Sequence, residues 1–289
     1  MNKLYLTEAV TVEGKDVWGR RGWIRFSPSR MSGWHWKTSS GETVAIDKEI
    51  VAYNKWLRFI SLSYGGHSIH IWEHIGVLRF FGLDGILVES SPWPPYHGRA
   101  FELWRALYPH ARRSEEMIPW CTPEYDAEWH YGGVRQGGYT RIVPILEKKL
   151  GLTVTADYEG IGAKTIRFTI DSRIPFELAS NMDPVIEAHS QGWPRRRYWF
   201  CLLLQLLGWP HFYNVTWPQH QDSRQTIELF ARHRVGDLLG ALSLLSHDKL
   251  PACMVWSVKS GHEADLHVLE KMSVRAFSGI PMTTVSQGA

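Results

Sequence analysis

The sequence predicts an α+β protein made of two related sheet-plus-helix units, 1–112 and 139–289, joined through 113–138. Three observations lead there. Short strand-like runs alternate with helical runs in both halves. The stretch 113–138 mixes charges, prolines and paired glycines as a linker does. The segment HRVGDLLGAL at 233–242 is faintly similar to EHIGVLRFFG at 73–82, which hints at a repeated unit.

In the first half, strand-like runs occupy 4–12 and 22–27. A helix is expected over 70–81, where Ile71, Val77, Leu78 and Phe81 recur at mixed three- and four-residue steps, and Gly82, Asp84 and Gly85 provide the stop. A strand follows at 86–89, then the turn SPWPPYHG at 91–98, then a second amphipathic helix over 100–108. In the second half, 152–157 and 165–170 alternate apolar and polar residues around GIGAK and read as a hairpin. The run YWFCLLLQLLGW at 198–209 is too short to span a bilayer and reads first as a core helix. A further helix is expected over 226–245, with Ile227, Phe230, Leu238, Leu242 and Leu245 on or near one face, and a strand over 252–258.

Composition narrows the function. A chain of 289 residues that is 44% hydrophobic and 21% charged can bury one large core or two smaller ones, so disorder is not the default. The balance of 32 basic against 29 acidic residues leaves +3, too little to imply a nucleic-acid binder; the 195–197 arginine run reads as a solvated face or a phosphate contact. Cys121, Cys201 and Cys253 are odd in number and contain no CxxC pair, which argues against a disulfide framework or a thiolate metal site and fits a reducing compartment. The start, MNKLYLTEAV, lacks the pattern of a secretory signal, and no run reaches the ~20 apolar residues of a membrane span, so the cytoplasm is the expected location and a monomer the expected state. Fifteen scattered tryptophans read as core and groove filling.

Three elements carry candidate chemistry. His233 and Asp237 stand four residues apart on a helix, so both can reach one ion; taken alone, such a pair more often decorates a surface. Glu73 and His74 are adjacent, project about 100° apart on a helix and cannot address the same atom. If His74 binds a metal, Glu73 is placed to take the proton of a water held there; alone, the pair reads as a solvated Glu beside a packed His. His262 follows a strand at the Ser-Gly turn of KSGH, where its ring can face a cleft. A rival set, His67, His70 and His74, falls at steps of three and four, but the YGGHS turn leaves His67 ahead of the helix; His211 and His220 read as loop residues.

These elements recur, in this order, in a known family. EAVTVEGKDVWGRRGWIRFSP, SLSYGGHSIHIWEHIGVLRFFGLDGILVES, HGRAFELWRAL, RFTIDSRIP, RHRVGDLLGALSLL and VKSGHEADLHVLEKM together resemble the UDP-3-O-acyl-N-acetylglucosamine deacetylases, zinc enzymes of lipid A biosynthesis, over most of the chain at low identity. The resemblance implies a βααβ-sandwich type of unit in each half, an active site at their interface, and Zn2+ held by His74, His233 and Asp237 with a fourth position open. It implies Glu73 as the base and His262 as the cation that stabilises the oxyanion and protonates the leaving amine. Ser190, in AHSQGWPRRRYW, aligns with a threonine hydroxyl that helps hold the oxyanion. Lys259 matches a basic residue near the nucleotide diphosphate, and Arg234 replaces a lysine beside the second ligand, on the substrate side. The implied substrate is a UDP-linked acylated amino sugar or a related small molecule, and the apolar run after Ser190 would lie by the acyl-chain passage.

The departures bear on activity. Where the family carries an aspartate that hydrogen-bonds the catalytic histidine, Gly240 is followed by Ala241, and Glu263 and Asp265 are the candidates to replace it. The family's GLH reads DVW at 16–18, and its DGSA reads HGRA at 97–100, both on the substrate side. A relative acting on another N-acylated sugar, and a weakened or inactive relative that binds a sugar nucleotide or a protein partner, are the competing expectations.

Overall fold

The computed structural model describes residues 1–16, 20–54, 59–95, 100–130, 138–158, 162–171 and 223–277. Ser190, Cys201, His211, His220, the arginines at 195–197, the apolar run 198–209 and most of 97–100 lie outside them.

The run expected over 4–12 is broken at residues 7–9 into β1 (Asn2–Leu6) and β2 (Val10–Lys15). In β3 (Arg21–Pro28), Ile24 and Phe26 are buried and Trp23 and Arg25 face outward, the period-two pattern of a sheet with one covered face. Then come β4 (Trp34–Lys37), β5 (Thr43–Ala45), β6 (Val51–Asn54), β7 (Phe59–Tyr64), β8 (His67–Ile69), α1 (Trp72–Gly76), β9 (Ile86–Ser90) and α2 (Ala100–Leu107). The helix expected over 70–81 starts at Trp72 because Ile71 sits in the left-handed region at φ 54, and it tightens to a 3-10 turn over Val77–Phe81.

The later strands are β10 (Ala111–Met117), β11 (Trp120–Pro123), β12 (Ala127–His130), β13 (Tyr139–Pro144), β14 (Leu150–Tyr158) and β15 (Gly162–Ile170), the last two forming the hairpin expected at GIGAK. After them come α3 (Ser223–Leu242), a 3-10 turn Ser243–Leu245, β16 (Leu250–Pro251), β17 (Cys253–Val258), α4 (His262–Lys271) and β18 (Val274–Ala276). The protein is thus α+β.

Two five-stranded sheets share one topology. The first runs β2-β3-β9-β4-β5 and the second β12-β13-β17-β14-β15. In chain order within each set, both read first, second, fifth, third, fourth. In both, the third and fifth strands are parallel and the other neighbours antiparallel. Among the described residues, one helix in each unit precedes the fifth strand and another follows it: α1 and α2 around β9, α3 and α4 around β17.

The stretch 113–138 is not a plain linker. Its first residues belong to β10, which pairs antiparallel with β1; β11 pairs with β16 and β18; and β12 is the outer strand of the second sheet. Its polar composition comes from exposure, since β10 is a ribbon strand whose charges reach solvent and partners such as Arg113 with Asn2. One cluster of buried apolar residues runs through both sheets, from Ile24, Phe26 and Trp34 to Leu152, Val154 and Val255.

Helix α3 lies inside this core. Every residue from Arg234 to Leu245 is buried, so the helix is enclosed on all sides rather than on one face. It meets α1 backbone to backbone. A Cβ at Gly240 would overlap the carbonyl group of Glu73, and one at Gly76 would overlap Ser243 Oγ and come within 2.9 Å of the Gly240 carbonyl oxygen. Trp72, fully buried, locks the crossing with an edge contact to Trp34 (6.2 Å between ring centroids) and an Nε1 hydrogen bond of 3.3 Å to Ser243 Oγ.

Gly240→Ala, which adds one methyl to a favourable helix position, is therefore expected to lower stability by about 1–3 kcal/mol as an overpacking change. Thermal unfolding checks this; an unchanged midpoint would show that the crossing tolerates a side chain.

Candidate metal centre

The two helices that cross at Gly76 and Gly240 bring their polar residues to one point. The nearest nitrogen and oxygen atoms of His74, on α1, and of His233 and Asp237, on α3, all lie within 4.8 Å of one another. His233 Nε2 is 3.5 Å from Asp237 Oδ2, and His74 Nε2 is 3.7 Å from Asp237 Oδ1. The i, i+4 spacing puts His233 and Asp237 on one side of α3, and the His74 ring stands 5.6 Å from the His233 ring, edge to face.

These separations exceed hydrogen-bond length but suit atoms sharing an ion. Two atoms bound at about 2.0–2.1 Å and the tetrahedral angle lie roughly 3.3–3.4 Å apart. Asp237 Oδ1 is buried and takes no hydrogen bond, an arrangement that costs free energy unless a cation answers it. Two imidazoles and one carboxylate with room for another ligand match the donor set of a hydrolytic metal site. Among the described residues this is the one such group.

Glu73 occupies the wall beside these ligands. It is 2% exposed, and its Oε2 accepts a 3.0 Å hydrogen bond from the Ile60 amide of β7, which leaves Oε1 directed toward His262 Nε2 at 3.9 Å. Burial raises its pKa; the charges of His262 and His74 pull the other way, and Asp237 adds to the rise. Asp237 behaves oppositely. Burial would push its carboxyl up, but His233, His262 and His74 together hold it well below the usual carboxylate range.

His262 opens α4 after Gly261, whose extended backbone (φ -156) ends the preceding loop. Its Nε2 lies 3.8 Å from Asp237 Oδ2, so a third helix adds its side chain to the group of polar residues. Its Nδ1 is buried without a hydrogen bond. The described non-glycine residues with positive φ are Ile71 and Lys259, two and three positions before Glu73 and His262. Strained backbone of this kind persists where packing imposes it, here immediately ahead of both chemical elements.

A small pocket lined by Glu73, His74, Val77, Ala100, His233, Gly236 and Asp237 opens over the site. The first residue of α2 thus closes one wall, and its Ala100 belongs to the HGRA segment that departs from the family pattern.

Two expected site residues do not face this pocket. The Arg234 guanidinium is buried and turned away from the opening: its Nη2 ion-pairs with Asp265 and donates to Ser260 Oγ at 3.0 Å and Ser257 Oγ at 3.3 Å. Helical geometry explains it, since the residue after His233 projects about 100° around α3, away from the ligand face. Lys259 points outward to Asp157 at 2.6 Å. Asp265 binds Arg234 and Thr140 rather than His262. Ala241 is fully buried.

The rival histidine set is dispersed. His67 lies in β8 and meets Ser39 Oγ at 2.8 Å, while His70 meets Ser61 and Ser68 and packs on Trp93. Among the described residues, no cysteine joins the site. Burial pushes the Cys121 thiol up to about 11, with Arg79 pulling it down, and raises Cys253 well above its ordinary value.

No protein-family model matches this sequence, and comparison with curated proteins returns no match. Among the described residues, no helix is long and apolar enough to cross a membrane.

The site is expected to bind one divalent ion, lost on substitution of His74, His233 or Asp237 by alanine and measurable by metal analysis after gel filtration. At a free-ion concentration a hundredfold above its dissociation constant, binding should stabilise the wild type by about 2.7 kcal/mol in thermal unfolding, and the alanine variants should show no such gain.

Proposed function

We propose that this chain is a zinc-dependent hydrolase that removes an N-acyl group from an acylated amino sugar, UDP-3-O-acyl-N-acetylglucosamine or a related sugar, in the cytoplasm. The observation that carries the reading is the position of Glu73: a buried carboxylate, from a different element than two of the ligands, beside the His74, His233 and Asp237 group and facing His262 across it. A binding site for a structural ion has no use for an acid and an imidazole held in this way.

A zinc ion held by the three ligands supplies a Lewis acid that acidifies water and polarises an amide carbonyl. Glu73 Oε1 takes the proton of the attacking water, its other oxygen being held by the Ile60 amide so that the carboxylate does not turn. His262 Nε2 faces the same space and gives a proton to the nitrogen as the C–N bond breaks, so that a carboxylate and a free amine leave. Ser190 is assigned, on the resemblance, to hold the oxyanion; Lys259, ion-paired with Asp157 outside the pocket, would meet a nucleotide diphosphate only on leaving that pair. The common strand order and helix placement of the two sheets support reading the halves as repeats of one βααβ unit with the site between them.

A second reading, a weakened or inactive relative that binds a sugar nucleotide or a protein, draws on His262. Among the described residues its Nδ1 makes no hydrogen bond, and Ala241 offers no side-chain acceptor that would orient the ring.

One experiment separates the two. Zinc-loaded wild type and Glu73→Gln are incubated with the UDP-linked acyl sugar and with other N-acylated amino sugars, and released carboxylate is measured. The expected result is turnover by the wild type and a loss of about 10²- to 10⁴-fold in the variant, as for removal of a general base, with metal content unchanged. Equal background rates would favour the binding protein.

A further inference from the structure

We propose that Arg234 and Asp265 form a clamp that positions His262 against the metal ligands, an inference that rests on the hydrolytic reading above. Among the described residues, the His262 ring has no hydrogen-bond partner to orient it. Nδ1 is buried without a hydrogen bond, and Nε2 lies 3.8 Å from Asp237 and 3.9 Å from Glu73, beyond hydrogen-bond length. The ring's place is therefore inherited from the backbone at the start of α4.

Arg234 holds that backbone from both sides. Its Nη2 donates to Ser260 Oγ, two residues before His262, and ion-pairs with Asp265, three residues after it. Thr140, on β13, repeats the grip, donating to Asp265 Oδ1 at 3.0 Å and meeting Ser260 Oγ at 2.9 Å, and Ser257 Oγ meets Ser260 Oγ at 2.6 Å. Backbone bonds to the Gly261 carbonyl from Ala264 (3.0 Å) and Asp265 (3.2 Å) fix the turn itself. Because Arg234 directly follows the ligand His233, the clamp references His262 to the ligand helix rather than to the loop that carries it.

Stability alone does not account for this pair. Arg234 is 5% and Asp265 1% exposed, and burying two charges costs desolvation that their attraction often fails to exceed, so an apolar pair would hold the helices at least as well. What an apolar pair does not supply is direction. One nitrogen serving Ser257, Ser260 and Asp265 defines the position of the first turn of α4, where a methyl contact would allow it to slide. Arg234 and Asp265 are thus positioning residues, reaching the reaction only through His262.

The test uses the zinc-loaded full chain with Asp265→Asn, which keeps the shape and removes the charge, and Arg234→Lys, which keeps the charge and removes the fork. Three readouts are taken: bound zinc per chain, the ring cross-peak of His262 in histidine 1H–13C spectra, and steady-state hydrolysis of the acyl sugar. Zinc content is expected to stay at the wild-type value, the His262 cross-peak to move or broaden while that of His70 does not, and kcat to fall about 10- to 100-fold with KM unchanged, the effect of a small misplacement of a reacting group. An unmoved His262 cross-peak in both folded variants overturns the clamp. So does loss of zinc in parallel, which would make the pair a support of the ligand helix. If Asp265→Asn does not fold, Arg234→Lys alone decides by the same readouts. Should the wild type hydrolyse nothing, the hydrolytic reading fails by itself, and the zinc and cross-peak measurements still decide whether the clamp sets His262.

Discussion

The close approach of α3 to α1, with Gly240 against the Glu73 carbonyl, sets the geometry on which the rest of the site depends. A side chain at either crossing glycine would push the helices apart, and the polar atoms of His74, His233 and Asp237 lie within 4.8 Å of each other only because nothing stands between the backbones. Trp72 makes this approach rigid: it fills the space beside the crossing and ties α1 to both Trp34 and Ser243. Packing and chemistry are therefore linked in one element, since the residue after Trp72 is Glu73 and the next is His74.

The site is also an electrostatic compromise. Asp237 and Glu73 are both buried, and burial by itself drives both toward the neutral acid. The three imidazoles around Asp237 reverse that tendency there, whereas at Glu73 burial outweighs the opposing charges of His262 and His74 and the pKa stays raised. Two carboxylates that both approach His262 are thereby driven in opposite directions, one toward the charged form and the other toward the neutral acid. Separation of this kind between neighbouring acids is common where one group must bind and the other must transfer a proton.

Much of this was legible locally. The i, i+4 pair on α3, the Glu-His pair on α1, the hairpin of β14 and β15 and the histidine at a Ser-Gly turn before α4 are short-range patterns, and the structure has each of them in the element expected. The errors were of another kind. The residues at 113–138 were polar enough to resemble a linker, yet β10 and β11 pair with strands more than a hundred residues away, and composition carries no record of a partner. Arg234 looked like a substrate contact because it adjoins a ligand. Its burial against Asp265 had one faint signal, an Arg and an Asp each within three residues of a site histidine, and spacing along the chain does not disclose that the two helices meet.

By itself, then, the sequence determined which residues can act and on what elements they stand, because side-chain chemistry and the periods of helix and strand are local properties of the chain. The tertiary structure alone decided that His74 meets His233 and Asp237, that Glu73 and not His67 or His70 joins them, and that Arg234 turns inward to α4. Those outcomes depend on contacts between residues distant in sequence, selected by the joint packing of many side chains into one core, and no short window of sequence contains that sum.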